Sequence, residues 1–192
     1  MIYKPLDFPK LNEFIELWNR LAKKEGLNGI YFIGHTQDYI DEKIMKQYFQ
    51  LDLNVINTAG VWYARREYSK KFINKVRLKL STWLLKQPSV IPYKKLYPLF
   101  ISKVDKLINI FPTIIPNWDH SPRSGKKGYI MTGSNPNLFE KHIKEILNLF
   151  EGQKDPIIFL KSWNEWGEGN YMEPDLKYSK GYIETLKNVL KE

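Results

Sequence analysis

Short apolar segments alternate with amphipathic helical segments along this chain, and no other feature of the sequence constrains the fold as strongly. Because buried strands that alternate with helices form parallel sheets joined by right-handed crossovers, the pattern predicts an α/β fold. About five βα units are expected. Their strands are predicted in "MIYKP", "NGIYFIG", "LNVINTAGV", "NIFPTIIPNWD" and "DPIIFLKSW".

The intervening segments have the apolar spacing of helices. They are "FPKLNEFIELWNRLAKKEG", "TQDYIDEKIMKQYFQ", "NPNLFEKHIKEILNLFEG" and "YSKGYIETLKNVLKE". The third of these has matching start and stop signals, with Asn135 as N-cap, Pro136 in the first turn and Gly152 after the end.

Polar and aromatic residues cluster directly after the predicted strands. His35 follows the second strand, Trp118 and Asp119 follow the fourth, and residues 163–168 follow the fifth. No strand is followed by a glycine-rich phosphate loop, which weakens the case for a nucleotide-binding open sheet. In a (β/α)8 barrel all of these loops meet at the carboxyl face, so the pattern favours a partial TIM-type barrel with about five of eight units.

Positive charge is concentrated between residues 64 and 106, where 12 Lys or Arg stand against two acidic residues. This basic, aromatic insertion is predicted to be helical up to about Lys86 and irregular beyond it. It is either a solvated helix face or a contact for an anionic partner, such as phospholipid or a lipid-linked sugar. A nucleic-acid partner is not expected, because positive charge is the only feature that would suggest one.

The composition narrows the class of protein further. There are no cysteines, and the histidines His35, His120 and His142 are scattered, so neither a disulfide nor a zinc site is expected, and no cofactor is implied. No linker or repeat divides residues 1–192, which predicts a single domain. Without an apolar run of about 20 residues or a secretory leader, we expect a cytoplasmic protein, peripheral at the inner membrane through residues 64–106.

Two glutamates stand three residues apart in "SWNEWGEGNYMEPD", after the last predicted strand. Gly167 and Gly169 flank Glu168 and allow a sharp turn, so the carboxylates of Glu165 and Glu168 can face one cavity. Carboxylates about 5 to 5.5 Å apart perform retaining glycoside hydrolysis. The alternative is an ordinary polar loop.

The neighbouring side chains allow two interpretations each. Trp118, Trp163, Trp166 and Tyr171 either stack on a sugar ring or, for Trp163 and Trp166, plug the barrel end. Asp119 and Arg123 bind hydroxyls or a phosphate, or form a buried salt bridge. His35 is a single histidine and therefore a weak candidate for ligand contact. For Glu173 and Asp175 we favour loop solvation or placement near a helix N-terminus over a catalytic role.

Four segments, in order, resemble the glycosyltransferase WbsX family, which is related to glycoside hydrolase family 99. They are "IYKP", "ELWNRLAKKEGLNGIYFIG", "FPTIIPNWDHSPRS" and the run "SWNEWGEGNYMEPD" with "KYSKGYIETLKNVL". The resemblance implies a (β/α)8 barrel that acts on glycans of bacterial O-antigen, capsule or lipopolysaccharide. It places the motif of the related mannosidases on Asn164, Glu165, Trp166 and Glu168.

By the same resemblance Glu165 would deprotonate the sugar 2-hydroxyl, which attacks the anomeric carbon to give an epoxide. Glu168 would serve as general acid and then as general base, a role that requires it to begin protonated.

The chain is shorter than a complete barrel of about 250 residues. It also begins as the body of a strand, which suggests missing upstream strands. The alternative function is therefore a truncated, non-catalytic glycan-binding or assembly fragment that pairs with an upstream-encoded half-barrel.

Overall fold

The computed structural model describes residues 1–37, 42–153 and 156–191. Within these ranges the strands are β1 (Ile2–Tyr3), β2 (Ile33–Thr36), β3 (Val55–Thr58), β4 (Ser89–Pro92), β5 (Ile110–Ile114), β6 (Tyr129–Thr132), β7 (Phe159–Leu160), β8 (Asn164–Glu165) and β9 (Asn170–Tyr171). The helices are α1 (Leu11–Lys24), α2 (Glu42–Tyr48), α3 (Val61–Lys70), α4 (Phe72–Trp83), α5 (Tyr93–Leu96), α6 (Ser121–Ser124), α7 (Pro136–Leu147) and α8 (Gly181–Val189).

Five parallel strands form a curled sheet in the order β1-β2-β3-β5-β7, which is half of a barrel. The α/β class and the partial barrel of about five units are confirmed. An apolar core between this sheet, α7 and α8 includes Phe111, Ile114, Ile143 and Tyr182. This core fixes the strand ends that carry the loops described below.

Helix α7 follows the sequence prediction at its start. The side chain of Asn135 accepts a hydrogen bond from Leu138 N at 3.0 Å, as expected for an N-cap. The α-helix ends at Leu147 and continues as a 3-10 turn over Asn148–Phe150, so Gly152 lies beyond both.

The second strand begins at Ile33, five residues later than predicted, and His35 therefore lies within the strand. Asparagine side chains satisfy the backbone that precedes it. Ile30 N donates to Asn19 Oδ1 at 2.8 Å, and Phe32 N donates to Asn54 Oδ1 at 2.6 Å. Part of the predicted second helix, residues 38–41, lies outside the described residues, and α2 (Glu42–Tyr48) covers most of the remainder.

The basic insertion differs from its prediction in two ways. Its helical part is broken at Lys71, which has extended backbone angles, so that α3 and α4 form a hairpin. Asn74 Nδ2 donates to Tyr68 O across this break at 2.9 Å. The part predicted as irregular contains β4, which pairs in parallel with β6 from the segment predicted as a polar loop.

Candidate functional site

The loop after β7 folds back on itself as a short hairpin. Strands β8 and β9 pair antiparallel, with Glu165 opposite Asn170, and a 3-10 turn over Trp166–Glu168 connects them. Gly169 closes the turn in the left-handed region, with φ of 49°. A Cβ at this position would lie 2.8 Å from Cβ of Asp119, so the turn requires a glycine. The predicted sharp turn is confirmed.

Amide side chains tie this hairpin to the sheet. Asn170 is 0% exposed and donates to the carbonyls of Asn117 and, at 3.0 Å, Lys161, while it accepts from Ser162 Oγ at 2.8 Å. Asn117 in turn bonds both backbone groups of Tyr171, at 2.9 and 3.1 Å. The geometry of the hairpin is therefore fixed by buried hydrogen bonds.

Glu168 is the buried member of the carboxylate pair, with 5% exposure. Arg123 donates to its Oε1, and His120 Nε2 lies 3.7 Å from the same oxygen. The hydrogen bond from Arg123 to Glu168 raises the pKa of the arginine, and the charge of Glu165 adds to the effect. Arg123 thus forms a salt bridge, which was one of its two interpretations, but with Glu168.

A ladder of backbone hydrogen bonds supports Glu168 from behind. Trp118 O accepts from Met131 N at 2.8 Å, and His120 N donates to Tyr129 O at 3.0 Å, so residues 118–120 run along β6. On the other side Asp119 N donates to Glu168 O at 2.8 Å. Because β6 also pairs with β4, the insertion of residues 64–106 supports the loop that carries Glu168.

Glu165 is exposed, in contrast to Glu168. Both carboxylates nevertheless act on the same two cations, Arg123 and Lys161. The structure therefore brings the two predicted catalytic residues to one site, where the Glu165 side chain is exposed and the Glu168 side chain is buried.

Lys161 is a site residue that the sequence analysis missed. It directly follows β7, and its Nζ lies 4.7 Å from the centroid of the Trp118 ring. Burial lowers the pKa of Lys161, whereas the charges of Glu168 and Glu165 oppose that shift. Its position immediately after the last strand of the sheet was the available signal.

The tryptophans divide into buried and accessible groups. Trp118 is 3% exposed and packs against Trp62 and Tyr129, so little of its ring is free. Trp163 and Trp166 are about half exposed.

One aromatic pair stands open beside Glu165. Trp166 stacks on Tyr171 with ring centroids 3.9 Å apart and an interplanar angle of 21°. Trp166 Nε1 donates to Glu173 at 2.6 Å, and Tyr171 OH donates to Asp175 at 3.1 Å. These hydrogen bonds show that Glu173 and Asp175 orient the aromatic pair in addition to any contact with solvent.

His35 lies on β2, three strands away from β7, which precedes the hairpin of Glu165 and Glu168. Its Nδ1 is 2.5 Å from Asn57 Oδ1, and Asn57 Nδ2 donates to Phe111 O and Thr113 Oγ1 at 2.8 and 2.9 Å. Burial lowers the pKa of His35; the hydrogen bond to Asn57 opposes this and the charge of Lys161 adds to it. His35 is thus linked to the site through Lys161.

Asp119 precedes α6 by two residues and holds its first residue, because its Oδ1 accepts from Ser121 N at 2.9 Å and from Ser121 Oγ at 2.5 Å. It thereby positions the short helix that carries Arg123. In the described ranges no group of three or more metal-ligating side chains is assembled. No described helix is long and apolar enough to cross a membrane.

The half-barrel and its rim define an α/β domain with the fold of a partial (β/α)8 barrel. A solved structure described as a glycoside hydrolase-like protein matches with a TM-score of 0.58 and 14% sequence identity, over 95% of this chain and 50% of that chain. The chain belongs to the glycosyltransferase WbsX family, whose model matches residues 1–186.

The curated relatives match over a shorter part of the chain. The protein WxcX of two strains of Xanthomonas campestris pv. campestris is 26% identical over 86 residues, which is 42% of this chain. The match covers only 12% of WxcX, so the chain corresponds to a small part of that protein.

Proposed function

We propose that this protein is a carbohydrate-active enzyme of bacterial surface polysaccharide biosynthesis, with Glu165 and Glu168 as its reacting carboxylates. One observation carries the proposal. A hairpin tied by buried hydrogen bonds holds an exposed glutamate and a buried glutamate beside an accessible aromatic stack, at the carboxyl edge of a parallel sheet. Active sites of barrel enzymes lie at this edge.

The difference in exposure suits two different roles. Glu165 is open to a sugar and removes the proton of the 2-hydroxyl, whose oxygen attacks the anomeric carbon and closes an epoxide. Glu168, which is shielded from water, donates a proton to the departing glycosidic oxygen. In the second step Glu168 takes a proton from the acceptor hydroxyl, of water or of another sugar, as that oxygen opens the epoxide, and Glu165 returns its proton to the 2-oxygen.

Arg123 controls when Glu168 can serve as an acid. In the structure this arginine donates to Glu168, yet its own side chain is 68% exposed. In the proposal an entering glycan displaces Arg123 into solvent, and Glu168 then takes up a proton. His120, 3.7 Å away, is placed to deliver it.

The remaining candidates form the walls of the sugar site. Trp166 and Tyr171 offer a ring face, Asn164 and Asp119 offer polar atoms at the rim, and Trp118 supports the site from below through Lys161. His35, on β2, lies at the opposite side of the proposed sugar site. The substrate in this proposal is a glycan or lipid-linked sugar, processed on the cytoplasmic side of the inner membrane.

The test is turnover by carboxamide variants. Glu165→Gln and Glu168→Gln are incubated with bacterial surface oligosaccharides, free and lipid-linked, and products are followed by mass spectrometry. Each variant should lose at least about 100-fold in rate. Glu16→Gln, an exposed glutamate of α1, is the matched control and should keep full activity. Wild-type rates in both site variants would exclude the proposed roles.

The alternative is a non-catalytic glycan-binding or assembly fragment, and the open edges of the half-barrel favour it. Among the described strands β1 and β7 are the edges of the five-stranded sheet, where an upstream-encoded half-barrel would pair. This alternative predicts glycan binding by calorimetry without turnover, and binding that survives both glutamine substitutions.

A further inference from the structure

The hairpin of α3 and α4 contains a groove that the carboxylate site does not use. It encloses about 940 Å³, with apolar walls that include Trp62, Val76, Leu80 and Trp83. Arg65, Lys75 and Lys79 line it as well. The described lining includes no acidic side chain.

Large apolar side chains stand exposed on the same hairpin. Phe72 is 80% exposed and Trp83 is 82% exposed, and Ile73, Leu84 and Leu85 are also largely open. An exposed apolar cluster of this kind is unusual and indicates a site that contacts a membrane or another molecule.

The charge of the hairpin is complementary to an anionic surface. Residues 61–86 carry eight Lys or Arg and one acidic residue. That residue, Glu67, lies 2.6 Å from Lys70 and is thereby neutralised. Exposed aromatic and aliphatic residues mixed with cations are typical of segments that lie in the interface of an anionic bilayer.

Completion of the barrel would not cover this surface. The edge strands of the described sheet are β1 and β7, whereas the hairpin follows β3, which is the central strand. Further strands would therefore pair with β1 or β7, each of which lies two positions from β3.

We propose that the α3–α4 hairpin binds the surface of an anionic phospholipid bilayer, with its exposed apolar residues in the interface and its cations at the phosphates. The groove lies near the candidate site, since Trp62 in its wall has its ring 6.1 Å from that of His120, whose Nε2 is 3.7 Å from Glu168 Oε1. If the proposed function holds, this contact presents the carboxylates to a substrate whose lipid remains in the membrane.

Vesicle binding tests the proposal independently of activity. The 192-residue chain is sedimented with vesicles of phosphatidylcholine alone and of phosphatidylcholine mixed with phosphatidylglycerol. Binding should be at least about tenfold tighter to the anionic vesicles and should weaken as salt is raised. Equal binding to both vesicles, or none to either, would overturn the proposal.

Paired variants locate the surface. Phe72→Ser with Trp83→Ser should reduce vesicle binding at least about tenfold, and Lys75→Glu with Lys79→Glu should do the same. The matched controls are on α1, namely Trp18→Ser and Lys23→Glu with Lys24→Glu, and these should bind as the wild type does. Equal losses in the α1 controls would show that the membrane contact is not specific to the α3–α4 hairpin and would overturn the proposal.

Two further outcomes separate competing explanations. If the hairpin variants change a dimer into a monomer in size-exclusion chromatography, a second copy covers this face and the proposal is wrong. Glu168→Gln should bind vesicles as the wild type does, so a failed activity test leaves the membrane result intact, and loss of vesicle binding leaves the proposed chemistry intact.

Discussion

The carboxylate hairpin of residues 161–171 and the α3–α4 hairpin of residues 61–86 both follow strands of the same parallel sheet, yet their side chains are used in opposite ways. In the first, the side-chain amide of Asn170 is fully used in internal hydrogen bonds. In the second, residues such as Phe72 and Trp83 have almost no internal contact. The first region is organised by the chain itself, whereas the second presents a surface for something outside it.

This difference bears on mechanism. Groups that are held before the substrate arrives need not reorganise during a reaction, which is the main source of electrostatic catalysis. A binding surface, in contrast, gains its energy when water leaves its apolar groups. Trp118 lies between the two regions, since its ring is 6.3 Å from that of Trp62 on α3 and 4.7 Å from Lys161 Nζ.

The largest expected effect comes from cutting the ties of the carboxylate hairpin. Asn170→Ala removes the donor to Asn117 O and Lys161 O and the acceptor for Ser162 Oγ. Each buried polar group left without a partner costs about 1 to 3 kcal/mol, so the loss should reach about 3 kcal/mol or more in the free energy of unfolding. Urea denaturation followed by circular dichroism measures it.

Asn164→Ala in the same hairpin is the matched control for this change. Asn164 is exposed, and its truncation should alter the free energy of unfolding by less than about 0.5 kcal/mol. Similar losses in both variants would show that the hairpin is not organised by the buried amide, and the contrast between the two regions would fail.

The second prediction concerns pH and the contact between the half-barrel and the end of the insertion. His142 on α7 is buried, accepts a hydrogen bond from Ile115 N at 3.2 Å, and lies 5.0 Å from the ring of Phe100. Burial lowers the pKa of His142 to about 3, and a hydrogen bond with the Thr113 backbone offsets part of this shift.

The unfolded chain binds a proton at His142 near pH 6.5, whereas the folded chain does so only near pH 3. The stability that this histidine contributes is therefore fully present above about pH 6.5 and is lost as the pH falls toward 3. Between pH 6.5 and 4.5 the loss should be about 2 kcal/mol. In His142→Gln, which retains an acceptor but does not titrate, the pH dependence should be shallower by that amount; parallel curves would assign the acid sensitivity to other groups.

The sequence predicted those parts of the fold that local patterns determine. The α7 N-cap, the strands β3 and β5 and the turn at Gly169 depend on near neighbours, and all were located correctly. Strands β4 and β6 were missed, because "SVIP" and "YIMT" are strands only by virtue of pairing with each other. The start of β2 was wrong because Asn19 and Asn54, distant in sequence, satisfy the preceding backbone.

The residues of the candidate site also divide into those evident from the local sequence and those whose role depends on distant parts of the chain. Glu165 and Glu168 were evident from a compact motif, but their unequal exposure depends on Arg123 and on the strand-like run of residues 118–120. Lys161 and Asn170 were missed because neither stands in a pattern by itself, and their roles arise only when β7, β9 and residue 117 come together.

The smallest expected effect is the most informative about the α3–α4 hairpin. Phe72→Ser and Trp83→Ser remove apolar side chains that are already in contact with water, so each should change the free energy of unfolding by less than about 0.5 kcal/mol. Leu78→Ala, at the buried face of α4, is the matched contrast and should cost about 2 kcal/mol or more.

Chemical denaturation of the three variants measures this difference. A large loss for Phe72→Ser would mean that this side chain packs against the folded chain or a second copy in solution. The hairpin would then be organised internally like the carboxylate hairpin, and its apolar residues would not be available to a membrane. A negligible loss combined with weakened vesicle binding would assign those residues to an external surface, because their removal would affect contact with that surface and not the fold.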